Sequence, residues 1–227
     1  MGSFNGFPKE TFEFFEKLKQ NNSKDWFQAN RNEYDEFVKK PSEQFVIEMG
    51  EMLKQLAPRI SAIPKVNKSL FRINRDTRFS KDKRPYKTNL GIWFWEGARK
   101  RMECSGFYFH MGDGKLMLGT GIHIFSKELL KLYRDAVSDK KRALPLEAAV
   151  NKISEKGYII VGKHYKRFPR GYDASHRQAK FLLFNGLTAM IEEDIPREFY
   201  SPSIVEYAFS HYNNMYPIHE WLTKTIG

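Results

Sequence analysis

The stretch Arg72-Ile-Asn-Arg-Asp-Thr-Arg-Phe-Ser-Lys-Asp-Lys-Arg-Pro-Tyr-Lys87 sets the hardest condition on any fold of this chain. Arg72, Arg75 and Arg78 recur at every third position, and Lys81, Lys83, Arg84 and Lys87 extend the charge. Asp76 and Asp82 are the acids inside it. Like charges this close repel, so ordering the segment costs free energy unless carboxylates or bound anions offset it. Phe79, Pro85 and Tyr86 suit a merely solvated loop poorly. They predict a segment that packs against something, with its charges aimed.

Arginine fits phosphate or carboxylate because its planar fork makes two parallel hydrogen bonds. The candidate anion ligands are Arg72, Arg75, Arg78 and Lys83, with Tyr86 at the edge of the site. Arg75 and Arg78 are expected to point into the same concave site. Arg84, just before Pro85, reads as extended and outward-facing. Arginines at intervals of three share a face on a helix or tight turn but alternate on a strand, and the spacing leaves both open. Asp76 is a weak catalytic candidate that could equally orient the guanidinium groups. The competing reading is an Arg–Asp ion-pair network that only pins the loop to the rest of the fold.

The surrounding composition supports a packed core and an anionic partner. The chain has 227 residues, 41% of them hydrophobic, with 19 Phe and 11 Tyr. That length and content predict a single domain over residues 1–227 with an aromatic-rich core. The net charge of +11 favours an anionic small molecule, a phosphate group or nucleic acid as partner. Cys104 is the one cysteine, so a disulfide within the chain and a cysteine-based zinc site are both excluded. A cytoplasmic protein is the expectation. Phe4 to Phe15 carries Lys9, Glu10 and Glu13 and does not read as a secretory signal, and no apolar run approaches the roughly 20 residues of a membrane span.

Periodicity gives helices first and strands afterwards. Pro8 to Lys19 reads as a helix with Phe12, Phe15 and Leu18 on one face. Ser23 caps a second helix through Val38, and Pro41 starts a third that ends near Leu56. Leu70 to Ile73 is a short strand, and Thr88 to Trp95 alternates as a strand should. Ser105–Met111 and Lys115–Thr120 form a hairpin around Gly112-Asp113-Gly114. Ser126 caps a helix through Val137, and Pro145 starts another through Lys156. Tyr158–Val161 and Leu187–Glu192 are strands, with a short helix at His176–Phe184 between them. Ser203–Asn214 and Ile218–Ile226 are two closing helices. The fold class is α+β: N-terminal helices followed by a mainly antiparallel sheet with flanking helices.

Other motifs carry less. There is no Gly-rich phosphate loop ending in Gly-Lys-Ser/Thr, no zinc-protease helix and no calcium loop. The six histidines show no metal-ligand spacing, and neither a metal nor a cofactor is expected. His110 and His123 flank the hairpin and read first as structural. Gly171-Tyr172-Asp173 with His176 follows a second basic run of Lys163, Lys166, Arg167 and Arg170. His176 is a second weak catalytic candidate, as a general acid, against the simpler reading of a turn that starts a helix.

Arg72-x-x-Arg75-Asp76-x-Arg78-Phe79, followed by Asp82-Lys83 and Tyr86, resembles the defining motif of domain of unknown function 2461, a family of uncharacterised proteins. Asn21-Asn22, Trp26-Phe27, Asn30, Tyr34 and Pro41 resemble its N-terminal pattern. Gly171-Tyr172 and His176 resemble a later one, with Ser175 and Arg177 departing from it beside His176 and Asn185 departing further on. The resemblance implies that the Arg motif is the site and carries no activity, cofactor or substrate. The functions weighed are therefore a basic pocket for a phosphorylated or carboxylated ligand, with catalysis left open, a non-specific nucleic-acid-binding module, and a purely structural Arg–Asp network.

Overall fold

The first helix starts after Pro8 without a side-chain cap, and the second starts at a serine that satisfies its N–H. In the computed structural model, which describes residues 3–227, α1 spans Lys9–Gln20 and α2 spans Lys24–Ala29. The Ser23 hydroxyl accepts from the Trp26 N–H at 3.2 Å, as its position predicts. After α3 (Arg31–Tyr34) a π-helical turn at Asp35–Lys39 runs straight into α4, Lys40–Leu53. Pro41 therefore lies within a continuous helical run and does not open a separate helix. A proline has no N–H for the carbonyl four residues back. That carbonyl, on Phe37, instead accepts from the hydroxyl of the fully buried Thr11 on α1.

The strands are β1 (Asn89–Glu96), β2 (Ser105–Gly112), β3 (Lys115–Ile122), β4 (Ile159–Lys163) and β5 (Phe184–Asp194). They form an antiparallel sheet in the order β1-β2-β3-β5-β4, so the fold is α+β as expected. β4 pairs with β5 through Ile159–Met190, Ile160–Ala189 and Val161–Thr188, and the register slips between Val161 and Lys163. At the β2–β3 turn Asp113 and Gly114 both have positive φ, 50° and 75°. That is the backbone a two-residue hairpin turn requires. The expected strand at Leu70–Ile73 is reduced to isolated bridges of Leu70, one to Val66 and one to Ile92.

Three later helices complete the chain: α5 (Lys127–Ser138), α6 (Lys140–Glu155) and α7 (Ile204–Ile226). Ser126 caps α5 as expected. Two prolines read as boundaries turn out to be internal. Asp139 starts α6 well before Pro145, accepting from the Lys141 and Arg142 N–H groups. Pro217 sits inside α7, which is one helix where two were expected. A proline in a helix interior costs about 3 kcal/mol, whereas each large apolar side chain buried returns about 1.5–3. Tyr212, Met215, Ile218, Leu222 and Ile226 are all buried on both sides of Pro217, so burial outweighs the break.

The chain groups into two compact units. The first takes in the chain up to Phe94 with Tyr108–Met117 and Glu192–Ser210; the second takes Trp95–Phe107, Leu118–Ile191 and His211–Gly227. The core of the first is aromatic: Phe7 stacks on Phe199 at 4.7 Å, and Phe45 meets Phe109 at 4.7 Å. In the second, Tyr133 stacks on Phe125 at 4.6 Å and meets Trp221 edge-on at 6.0 Å.

Candidate functional site

The basic stretch is a loop pinched at its base. The Arg75 N–H donates to the Pro85 carbonyl at 2.8 Å, the Lys87 N–H donates to the Ile73 carbonyl at 2.8 Å, and Asn74 bridges Tyr86 between them. The incoming limb lies along β1: the Phe71 N–H donates to the Gly91 carbonyl, and the Trp93 N–H to the Ser69 carbonyl. The outgoing limb is held from α2 and the link that precedes it. The Asn22 side chain accepts from the Tyr86 N–H at 3.0 Å and donates to the Tyr86 carbonyl at 3.1 Å. The Tyr86 ring stacks on Phe27 at 4.3 Å. Residues from the N-terminal pattern, Asn22 and Phe27, thus serve as the clamp of the loop.

Within the loop the acids act locally. Asp76 accepts from the Arg78 backbone at 3.3 Å and from its guanidinium at 3.0 and 2.7 Å. Asp82 repeats the device with Arg84, at 3.0 Å from the backbone N–H and 2.7 Å from the guanidinium, and also takes Arg75. These bonds hold both carboxyls below the usual aspartate range, Arg78 acting on Asp76 and chiefly Arg84 on Asp82. The Lys83 ammonium donates to the Thr77 carbonyl at 3.0 Å and ties the tip.

The candidate residues consequently separate. Arg75 turns into two neighbouring hollows, whereas Arg78 is 77% exposed, lies against Asp76 and lines neither. Arg72 is exposed and lines neither hollow; the segment is irregular, not helical. Tyr86 is buried and lines the smaller hollow. Arg84, expected to face outward, lines that hollow too, because Asp82 folds its side chain back. Phe79, expected to pack, is 95% exposed with only the Arg78 guanidinium 5.7 Å from its ring centroid.

The larger hollow, about 470 Å³, is walled by Phe71, Arg75, Asp76, Lys87, Asn89, Gly91, Tyr108 and His110. The smaller, about 180 Å³, is walled by Arg75, Asp82, Arg84, Tyr86, Lys87, Thr88 and Asn89. Arg75, Lys87 and Asn89 belong to both. Tyr108 and His110 reach the site because side chains alternate on β2: Phe107, Phe109 and Met111 are fully buried, and the residues between them face the other way. The Tyr108 hydroxyl and His110 Nδ1 are 3.1 Å apart. Burial lowers the His110 pKa from its ordinary 6.5, against the pull of Glu192 and Asp113, and so favours the neutral ring. Tyr108, His110, Phe71 and Lys87 were not among the site residues expected from sequence. The alternation of β2 was the available signal for the first two.

In the second basic run Lys163, Lys166, Arg167 and Arg170 are exposed, and the cations just after it have a different fate. Glu147, on α6 and only 7% exposed, accepts from Arg177 at 2.9 Å, Gln178 at 2.8 Å and Lys180 at 3.1 Å. The Tyr172 hydroxyl donates to Asp135 on α5 at 2.9 Å. His176 presents neither ring nitrogen to water or to a protein partner, and its helix proves to be a 3₁₀ segment, Arg177–Leu183. A further buried chain links Ser105, His219 and Glu96. His219 Nδ1 is 3.0 Å from the Ser105 hydroxyl and Nε2 is 3.0 Å from Glu96. A carboxylate only accepts, so Nε2 carries the proton and Nδ1 accepts from the serine. The void beside it is about 20 Å³, room for one water and no substrate.

Among the described residues, no helix is long and apolar enough to cross a membrane. No curated protein and no solved structure matches the chain. The family model described as "Conserved hypothetical protein (DUF2461)" matches residues 10–221, and the chain belongs to that family.

Proposed function

We propose that the two joined hollows beside the Arg72–Lys87 loop bind a small phosphorylated or carboxylated ligand, its anionic group lying between Arg75, Arg84 and Lys87. The observation that carries this reading is the shared wall: Arg75 and Lys87 line both hollows, and Arg84 lines the smaller. Asp82 holds Arg75 and Arg84 in place, so part of the side-chain ordering cost is met before any ligand arrives. Arg72, Arg78 and Lys83 then contribute field and loop shape, not direct contact. The reading places the protein in a reducing cytoplasm, where the buried thiol of Cys104 stays free.

Phosphate and sulfate should each raise the thermal midpoint above a chloride control of matched ionic strength, and Arg75→Ala should remove most of the rise. Equal shifts in the wild type and Arg75→Ala would leave the Arg–Asp network as pure scaffold. The nucleic-acid reading retains one specific observation, the exposed Phe79 at a tip flanked by Arg78 and Lys81. It requires binding to a non-specific duplex that weakens by roughly a thousandfold or more between about 50 and 200 mM salt.

A further inference from the structure

We infer that the ligand carries a planar aromatic ring beside its phosphate: the site fits a nucleoside monophosphate unit, its ring in the larger hollow and its phosphate in the smaller. This rests on the anion-binding reading above and adds the substrate class.

The argument is the division of chemistry between the hollows. The smaller one, about 180 Å³, brings the cations Arg75, Arg84 and Lys87 together with Thr88 and the single carboxylate of Asp82, so positive charge exceeds negative in its wall. That volume lies below the roughly 300–1,000 Å³ usual for small-molecule pockets but accepts a phosphate group. The larger hollow, about 470 Å³, falls inside that range and gathers the rings Phe71, Tyr108 and His110. Phe71 and Tyr108 meet at 89° with centroids 6.0 Å apart, making a corner with two aromatic walls. A flat ring laid on one wall meets the edge of the other, the stacked and edge-on contacts that aromatic groups prefer. Gly91 lets the corner close. A Cβ there would lie 3.0 Å from the Tyr108 hydroxyl and 3.2 Å from Phe71 Cδ2.

The junction between the hollows also fits. The Lys87 ammonium lies 5.6 Å from the centroid of Phe71, so the cation of the phosphate side abuts the ring side. Asn89 lines both hollows and brings an amide with donors and an acceptor, the groups that read the edge of a nucleobase. His110 engages Tyr108 through Nδ1 and keeps Nε2 for a second partner. A sugar phosphate or a simple carboxylate would use the cations and leave the aromatic corner empty.

The same unit occurs free and within a single-stranded nucleic acid. Calorimetric titrations should therefore compare adenosine and uridine 5′-monophosphates, ribose 5-phosphate, inorganic phosphate and a short single-stranded oligonucleotide on the full chain. At least one mononucleotide should bind roughly tenfold or more tighter than ribose 5-phosphate, the range that base–aromatic stacking supplies. Phe71→Leu, which keeps an apolar side chain, should bring that nucleotide down to the level of ribose 5-phosphate and leave ribose 5-phosphate unchanged. Asn89→Ala, which leaves the aromatic corner intact, should weaken the nucleotide more than it weakens inorganic phosphate. An oligonucleotide that outcompetes the mononucleotide would assign the unit to a strand, and one that does not would assign it to a free nucleotide; both uphold the inference. Equal affinity for nucleotides and ribose 5-phosphate in the wild type would overturn it and leave the anion site standing. Binding of none of these compounds would take down both.

Discussion

The Arg72–Lys87 loop and the segment from Lys163 to Lys180 are both basic and differ in where their carboxylates come from. In the Arg72–Lys87 loop both acids are internal, and Asp76 and Asp82 each bind the arginine two positions on. In the later stretch, Arg177 and Lys180 reach a carboxylate on another element, Glu147 of α6. A pair two residues apart shapes a turn but leaves the chain around it near the surface, with Arg75 and Lys87 turned to open hollows. A long-range carboxylate fastens Arg177 and Lys180 to a helix and occupies those two charges, while Lys163, Lys166, Arg167 and Arg170 before them stay exposed. Charge density therefore does not mark a site by itself; what counts is whether the neutralising groups are local or distant.

The largest expected effect tests that difference directly. At a hundredfold excess of sulfate over its dissociation constant the wild type should gain about 2.7 kcal/mol of stability. Arg177→Ala and Lys180→Ala should keep the gain that Arg75→Ala loses. A loss of equal size at Arg177, read by thermal unfolding in sulfate, would erase the distinction between the stretches.

Glu147→Ala probes the other side. It strands the buried amide of Gln178, which costs about 1–3 kcal/mol, while Arg177 and Lys180 are exposed enough to return to water. The hydrogen bond from Gln178, then that from Lys180, lowers the Glu147 pKa below its ordinary 4.5. A lowered carboxylate stabilises fully above the unfolded value, so its contribution is lost only as pH falls below about 4.5 and through the folded value. Denaturant midpoints of wild type and variant should converge in that acid range and differ above it. The sulfate response should not change.

Asn22→Ala should loosen the clamp without touching any charge. Two hydrogen bonds to the Tyr86 backbone disappear, each worth about 0.5–1.5 kcal/mol. Stability should fall by that order, and the sulfate gain should shrink because Arg75 loses its support. An unchanged sulfate gain would mean that the loop is held by β1 alone.

A smaller effect follows from His110. Burial lowers its folded pKa below 6.5, so the unfolded chain takes up a proton first as pH falls. Its contribution is present above about 6.5 and declines below, and the buried His219, also lowered chiefly by burial, acts with the same sign. Without added anion, the fall in thermal midpoint from neutral to mildly acid pH should be shallower in His110→Gln than in the wild type. The smallest effect belongs to Phe79→Ser, which should leave stability within about 0.5 kcal/mol, because the ring packs on nothing but Arg78. A larger loss would show that the tip folds onto the protein.

Much of the fold was legible because it depends on neighbours in the chain. The caps at Ser23 and Ser126, the Asp113-Gly114 turn and the alternation of β2 all follow from side chains acting within a few residues, whereas β1 is buried on both faces. The errors fall at prolines. Pro41, Pro145 and Pro217 read as boundaries, but each lies inside a continuous helical run. Thr11 takes up the carbonyl freed by Pro41, and the buried stripe of α7 outweighs the break at Pro217. Neither compensation is visible to a local reading, since Thr11 belongs to another helix and the stripe has meaning only once its core exists.

The site divides in the same way. Sequence alone determined that Arg72–Lys87 concentrates charge that has to be offset, because repulsion acts between residues wherever the chain goes. It could not determine which cations face a cavity. Arg78 and Arg84 both pair with an aspartate two residues before them, yet only Arg84 lines a hollow. The tertiary structure decided that by pinching the loop at Asn74–Tyr86, clamping Tyr86 from Asn22 and Phe27, and laying the limb at Phe71 along β1 beside Tyr108 and His110. A side chain's direction depends on the backbone beneath it, and here that backbone is positioned in part by Asn22, 64 positions from Tyr86 in the chain.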